Sequence, residues 1–180
     1  MNATIKEDRH AIWMSLCAAW HSWRRHGFRR LRASWSAAQL AAIGRMDSRS
    51  TDPSRRIQYL RQMDPFVFEE MVLDTFQRHG WTVVRNRRYT GDGGIDGRVY
   101  NGGDWYGVQC KRIRGDVLLH VLLKFERDLK RNGLRKGFFV HTGRLAATAF
   151  ENTPPCITVI SPPQVVEWIG SGLPIKETET

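Results

Sequence analysis

Cysteine is scarce in this 180-residue chain, and Cys17, Cys110 and Cys156 lie far apart with no C-x-x-C pair among them. That excludes a disulfide framework and a cysteine-based zinc site, and makes a reducing cytoplasm the expected compartment. Long apolar runs are missing too. The richest, Ala11 to Trp20, has ten residues, about half of the roughly 20 that a bilayer-crossing helix needs. Glu7 and Asp8 precede it, Arg24-Arg25 follow it and no small-residue cleavage site is clear, which also argues against a secretory signal. There is no internal repeat and no low-complexity tract. Acid is short as well: 18 Asp and Glu stand against 28 Lys and Arg, for a net charge of +10 and a pI near 10.2.

What is present is basic and unevenly spread. Residues 1–62 hold 12 Lys/Arg and 4 acidic residues, so +8 of the net +10 lies there. Such an excess fits a polyanionic partner held by phosphate neutralisation, with nucleic acid first and an anionic membrane surface second. Trp13, Trp20, Trp23 and Trp35 beside Arg24, Arg25, Arg29 and Arg30 suit either a membrane interface or a helical hairpin packed on itself or on the domain. The second reading is preferred and membrane association is disfavoured. The polar, breaker-rich stretch from Arg45 to Arg56 reads as a linker. The expected organisation is a basic helical extension and linker over 1–62, one folded domain over 63–172 and a polar tail over 173–180. The hydrophobic content of 41% is enough for one core.

Within the domain, Asp64-Pro65 is a helix start, with Asp as N-cap and Pro at the first helical position. Phe68, Met71, Val72, Thr75 and Phe76 then recur at helical spacing up to Gly80. At 100° per residue Glu69 falls at the margin of that apolar stripe and Glu70 points to solvent. A strand from Trp81, a hairpin, a helix from Leu118 to Leu129 ended by Asn132-Gly133, and a strand at Phe138–Val140 follow. A short helix from Leu145 to Phe150, a strand from Ile157 to Ile160 and a last helix after Ser161-Pro162 complete the order. That order, α-β-β-β-α-β-α-β-α, is of the α/β class, with a central mixed sheet flanked by helices.

The hairpin carries the chemistry. If Gly102-Gly103 is its two-residue loop, partner numbers sum to 205 and Asp96 stands opposite Gln109. A slip of the turn to Asn101-Gly102 would pair Asp96 with Gly107 instead. Alternation puts Gln109, Lys111 and Asp96 on one polar face, and Val108, Cys110 and Ile95 on the apolar one. A carboxylate and a lysine on adjacent strands can hold a divalent metal beside a phosphate, although a plain wet strand face would show the same residues. Asp92 most simply shapes the Gly-rich turn through an Asx hydrogen bond. That loop precedes a strand and lacks a Gly-Lys-Ser/Thr ending, so it is no nucleotide-binding loop. His79, His120 and His141 have no metal-ligand spacing; His141 is of interest because it adjoins Thr142.

Taken together, Phe68-Glu69, Gly80-Trp81, the run Gly91-Asp92-Gly93-Gly94-Ile95-Asp96, Val108-Gln109-Cys110-Lys111-Arg112 and Thr142-Gly143 resemble the Mrr-like restriction endonuclease domain of the PD-(D/E)XK nuclease superfamily. The resemblance covers roughly Asp64 to Ile169. It implies a restriction-endonuclease-like core and a metal-dependent deoxyribonuclease acting on double-stranded DNA, in restriction of foreign or modified DNA. Asp96 would be a metal ligand, Gln109 would stand where the superfamily has a second acid, Lys111 would be the catalytic lysine and Glu69 the helix-borne acid. Mg²⁺, with Mn²⁺ as a substitute, would be held by Asp96, Glu69, the Gln109 amide oxygen and the Cys110 backbone carbonyl, all hard oxygen donors. Arg87, Arg88, Arg112, Arg114 and Thr142 would contact DNA. Cutting both strands of a duplex favours a homodimer. The N-terminal segment is too short and irregular for a winged-helix recognition domain. Two other readings remain open: a catalytically weak DNA-binding protein that keeps the nuclease fold, and a membrane-surface protein.

Overall fold

A computed structural model describes residues 54–86 and 94–171, together with Leu31 and Trp35. The apolar run at 11–20, most of the Trp/Arg segment, Asp92, Arg87 and Arg88 lie outside the described residues. Among the described residues no helix is long and apolar enough to cross a membrane.

The chain enters through α1 (Ser54–Gln62) and α2 (Pro65–Arg78). Asp64 caps α2 as its sequence demands: the carboxylate accepts the N–H groups of Phe66 at 3.0 Å and Val67 at 3.2 Å, while Pro65 supplies a residue that has no N–H to satisfy. Strand β1 (Thr82–Arg85) and the hairpin β2 (Gly97–Asn101) and β3 (Asp104–Lys111) come next. After the short β4 (Asp116–Val117), the helix α3 (Leu119–Arg131) crosses over to β5 (Lys136–His141). The chain ends through β6 (Arg144–Leu145), α4 (Ala147–Glu151), β7 (Ile157–Ile160) and α5 (Pro162–Ser171). The five-stranded sheet runs β1-β2-β3-β5-β7, antiparallel from β1 to β3 and parallel from β3 to β7. It is the mixed α/β sheet expected from the element order. Two features lay below the resolution of periodicity: α1 begins inside the stretch that reads as a linker, and β4 and β6 form a two-stranded parallel pair at the mouth of the fold.

Each face of the sheet has its own core. Against α2 and α5, Phe76 meets Trp81, Phe138 and Trp168 with ring centroids 5.2, 5.1 and 4.6 Å apart. Phe68, Val108, Cys110 and Val140 are buried there too, as is Leu60 of α1, which is fully buried. Against α3 the core consists of Ile95, Leu122, Phe125, Leu129, Phe139 and Ile157. Burial of this kind contributes about 1.5–3 kcal/mol per large side chain.

The hairpin turn is Gly102-Gly103, with φ of +60° and +94°, the left-handed pair that a tight two-residue turn requires and that glycine adopts without strain. Its register is the expected one, from Asn101↔Asp104 to Gly97↔Val108.

Candidate active site

The ladder stops one residue short of Asp96. Gly97 pairs with Val108, and the Asp96 N–H also donates to the Val108 carbonyl, at 2.8 Å. Two residues thus address one partner, which is the arrangement of a β-bulge. An extra residue reverses every side chain beyond it. Ile95 was expected on the face of Val108 and Cys110; it packs instead on the α3 side with Phe125, Leu129 and Phe139. Asp96 does not stand square to Gln109 as a ladder partner. Its carboxylate Oδ2 accepts the backbone N–H of Cys110 at 2.6 Å, which ties the end of β2 to β3 through a side chain.

Gln109 is buried, 3% exposed, beside Phe139 of β5, so the expected wet polar face is closed over by α3. Its amide Nε2 donates to the Gly94 carbonyl, which assigns the amide orientation. The Asn86 side chain likewise donates to the Ile95 carbonyl. Gly94 has φ of +82°, and a Cβ there would lie 2.8 Å from the Asp128 carboxyl carbon and 3.1 Å from Lys124 Nζ. Glycine is therefore required twice, by conformation and by the close approach of α3. Asp128, fully buried, pairs with Lys124 at 2.7 Å and with Arg131. Burial alone would raise its pKa, but the hydrogen bonds from those two cations hold it below the usual carboxylate range.

Lys111 is exposed at the end of β3. Cys110, between it and Gln109, is a buried thiol whose pKa burial pushes well up; the charges of Asp96 and Glu69 raise it further, Lys111 opposes them and Glu70 adds least. The charges of Asp96, Glu69 and Lys111 thus all act on Cys110, and its buried thiol stays protonated.

The two glutamates of α2 correct one expectation. Glu70 is 2% exposed and not in solvent. It accepts from Arg85 Nε at 2.8 Å, and the same guanidinium reaches Asp74. Glu70 and Asp74 lie one helical turn apart, on a flank that β1 covers; helical phase marks the sheet-facing stripe and gives no sign of a cation arriving from an edge strand. Glu69 is half-buried.

The expected DNA contacts divide. Arg114 is exposed. Arg112 is half-buried, its guanidinium donating to the Arg61 carbonyl at 2.8 Å. Thr142 is fully buried. Its hydroxyl donates to the Ile113 carbonyl at 2.8 Å and accepts the Ile113 N–H at 3.0 Å. That pair of bonds closes the gap between the ends of β3 and β5, so Thr142 is a clamp and not a DNA contact in this arrangement. Its own carbonyl accepts from Arg61 Nε at 2.8 Å.

His141, paired in register with Lys111, is fully buried, and neither ring nitrogen has a hydrogen-bond partner. Desolvation lowers its pKa to about 4; the Gly143 backbone, close enough to oppose that shift but not in hydrogen-bonding geometry, does not offset it, so the imidazole is neutral near pH 7. Nothing in the spacing of the histidines signalled this burial.

Among the described residues no group of three or more His, Cys, Asp or Glu side chains is placed to hold a metal. The ligands expected from the sequence, Asp96, Glu69, the Gln109 amide and the Cys110 carbonyl, are two carboxylates, one amide and a backbone carbonyl. That set is all oxygen, which fits a hard cation of the Mg²⁺ type and not zinc.

A family model described as a restriction endonuclease matches residues 60–169, well over half of the chain. No curated protein and no solved structure matches.

Proposed function

The chain belongs to the restriction endonuclease family of the Mrr catalytic-domain type, and on that premise we propose that it is a Mg²⁺-dependent endonuclease that hydrolyses phosphodiester bonds in double-stranded DNA. A role in restricting foreign or modified DNA, and a dimer able to cut both strands, follow from the same reading. The observation that supports it is the bulge at Asp96, which brings its carboxylate to the Cys110 N–H at the end of β3, where the charges of Glu69 and Lys111 also act on the Cys110 thiol.

In this reading Asp96, Glu69, the Gln109 amide oxygen and the Cys110 carbonyl hold the divalent ion. When bound, the ion polarises the phosphate and lowers the pKa of water. Gln109 is kept in one amide orientation by its bond to Gly94, so its oxygen is directed without rotamer search. Lys111, exposed beside these groups, supplies a fixed positive charge where negative charge develops on the phosphate, the kind of preorganised electrostatics that contributes most in such sites. Cys110, protonated and buried, adds neither charge nor nucleophile. Arg114, and Arg87 and Arg88 from the basic run that precedes Asp96 in the sequence, are the proposed contacts to the DNA backbone.

The test is cleavage of methylated and unmethylated plasmid by the purified protein in Mg²⁺, Mn²⁺ or EDTA, with Lys111→Ala as the comparison. We expect cutting in Mg²⁺ only when Lys111 is present, and DNA binding in both proteins. Full cutting by Lys111→Ala would refute the assignment. The second reading, a DNA-binding protein that keeps the fold, draws on the lack, among the described residues, of a group of three or more His, Cys, Asp or Glu side chains placed to hold a metal. Calorimetric titration of Mg²⁺ separates the two, because a pure binder gives the same trace for the wild type and Asp96→Asn.

A further inference from the structure

We propose that the outer face of α3 is a ridge for the DNA phosphate backbone, formed by His120, Lys124, Arg127 and Arg131, and that it guides a strand past the Gly94–Asp96 loop. The inference rests on the nuclease reading above and adds to it a surface that the sequence motifs do not include.

The four residues are spaced 4, 3 and 4 apart, and all are exposed. At 100° per residue they fall within about 60° of arc, opposite the stripe of Leu122, Phe125 and Leu129 that α3 buries. From His120 to Arg131 is eleven steps, about 16 Å of helix at 1.5 Å per residue, which matches roughly four to five nucleotide steps of a strand at ~3.4 Å each.

A solvated helix face normally mixes signs, with acids and bases alternating as i,i+4 pairs. Here the acids are placed elsewhere. Glu126 pairs with Lys130 at 2.7 Å on a different flank. Asp128 is fully buried beneath the ridge, joined to both Lys124 and Arg131. Among the described residues no carboxylate pairs with His120 or Arg127. The buried carboxylate holds two cations of the ridge in place before any ligand arrives, which lowers the entropy lost on binding.

The ridge also lies beside the site. Lys124 Nζ is 3.1 Å from where a Cβ would stand on Gly94, and Gly94 is two residues before Asp96. A strand whose phosphates follow α3 therefore passes the loop that carries the proposed metal ligand.

The experiment measures binding of a duplex by the full chain carrying Lys111→Ala, in EDTA, by fluorescence anisotropy from 50 to 200 mM salt. Removing one phosphate contact lowers the slope of log K against log[salt] by about 0.9. Arg127→Gln should therefore make the affinity loss over that salt range roughly threefold smaller, to the same extent for unrelated sequences. Arg127 is chosen because its replacement leaves the Asp128 pairs intact. Lys130→Gln, on the other flank, should leave the slope unchanged. An Arg127→Gln slope equal to that of the Lys111→Ala parent, or a Lys130→Gln effect as large, overturns the ridge while the nuclease reading stands. Absence of both binding and cutting by the wild type overturns the nuclease reading itself, and the ridge with it.

Discussion

The two ends of the β2–β3 hairpin are built on opposite principles. At the turn end, Gly102 and Gly103 face open space and the ladder is regular up to Asn101↔Asp104. At the other end the pairing stops at Gly97, a bulge turns Asp96 inward, and the loop before it is pressed against Asp128 and held by Gln109 and Asn86. The turn end is specified by local backbone chemistry alone. The bulge end depends on Asn86, just after β1, on Gln109 of β3 and on Asp128 of α3, and it is there that the proposed ligand Asp96 stands. Regular pairing fixes a frame, and the departure from pairing makes the site.

Four substitutions sharpen this contrast. The largest effect is expected for Asp96→Asn, which should lower Mg²⁺-dependent plasmid cleavage by at least ~10³-fold, about 4 kcal/mol of transition-state stabilisation. Because an amide oxygen can still accept the Cys110 N–H, its thermal unfolding should stay close to that of the wild type. If instead the fold is lost and residual activity tracks folded protein, Asp96 is structural only. Gly94→Ala comes next, with about 3 kcal/mol of destabilisation in a denaturant titration from the positive φ and the collision with Asp128. Equal stability of Gly94→Ala and the wild type would show that the loop is not pressed against α3.

Third is a pH effect at His141, at the same end of the sheet. Its folded pKa, about 4, lies below the ordinary 6.5, so the unfolded chain binds a proton first as pH falls. The stability associated with its burial is complete above about pH 6.5 and is lost as pH drops toward 4, by an amount on the order of 3 kcal/mol. His141→Phe should flatten that part of the stability profile; an unchanged slope between pH 6.5 and 4 rejects the burial of a neutral ring. The smallest effect belongs to the turn end: Gly102→Ala, strained at φ of +60° but meeting no neighbour, should cost about 1 kcal/mol and leave cleavage unaltered.

How far these features could be read from the sequence follows from their range. The α2 cap, the hairpin turn, its register and the stop of α3 at Asn132-Gly133 depend on residues a few positions apart, and all stand as expected. Glu70, Ile95 and Thr142 depend on groups brought from elsewhere. Arg85 reaches Glu70 from fifteen residues away, and Ile113 meets Thr142 from twenty-nine. The bulge is the instructive case: alternation was applied correctly from the turn, and one extra residue at Asp96 inverted it beyond that point. The residues proposed for the site are named from a motif; where Asp96 and Ile95 point could not be read from it, because that is set where alternation fails.

Arg61 and Arg112 bear on where this protein can be cut. Arg61 of α1 donates to the Thr142 carbonyl, and Arg112, next to Lys111, donates to the Arg61 carbonyl. The last turn of α1 is thus bolted across the ends of β3 and β5, beside Lys111. A truncation placed just before Asp64, where composition changes, would sever those bolts and remove the buried Leu60 from the core, mixing a loss of stability with a loss of charge. A truncation that keeps Ser54 onward removes most of the basic extension and spares the joint, so that the extension's contribution to DNA affinity is measured by itself.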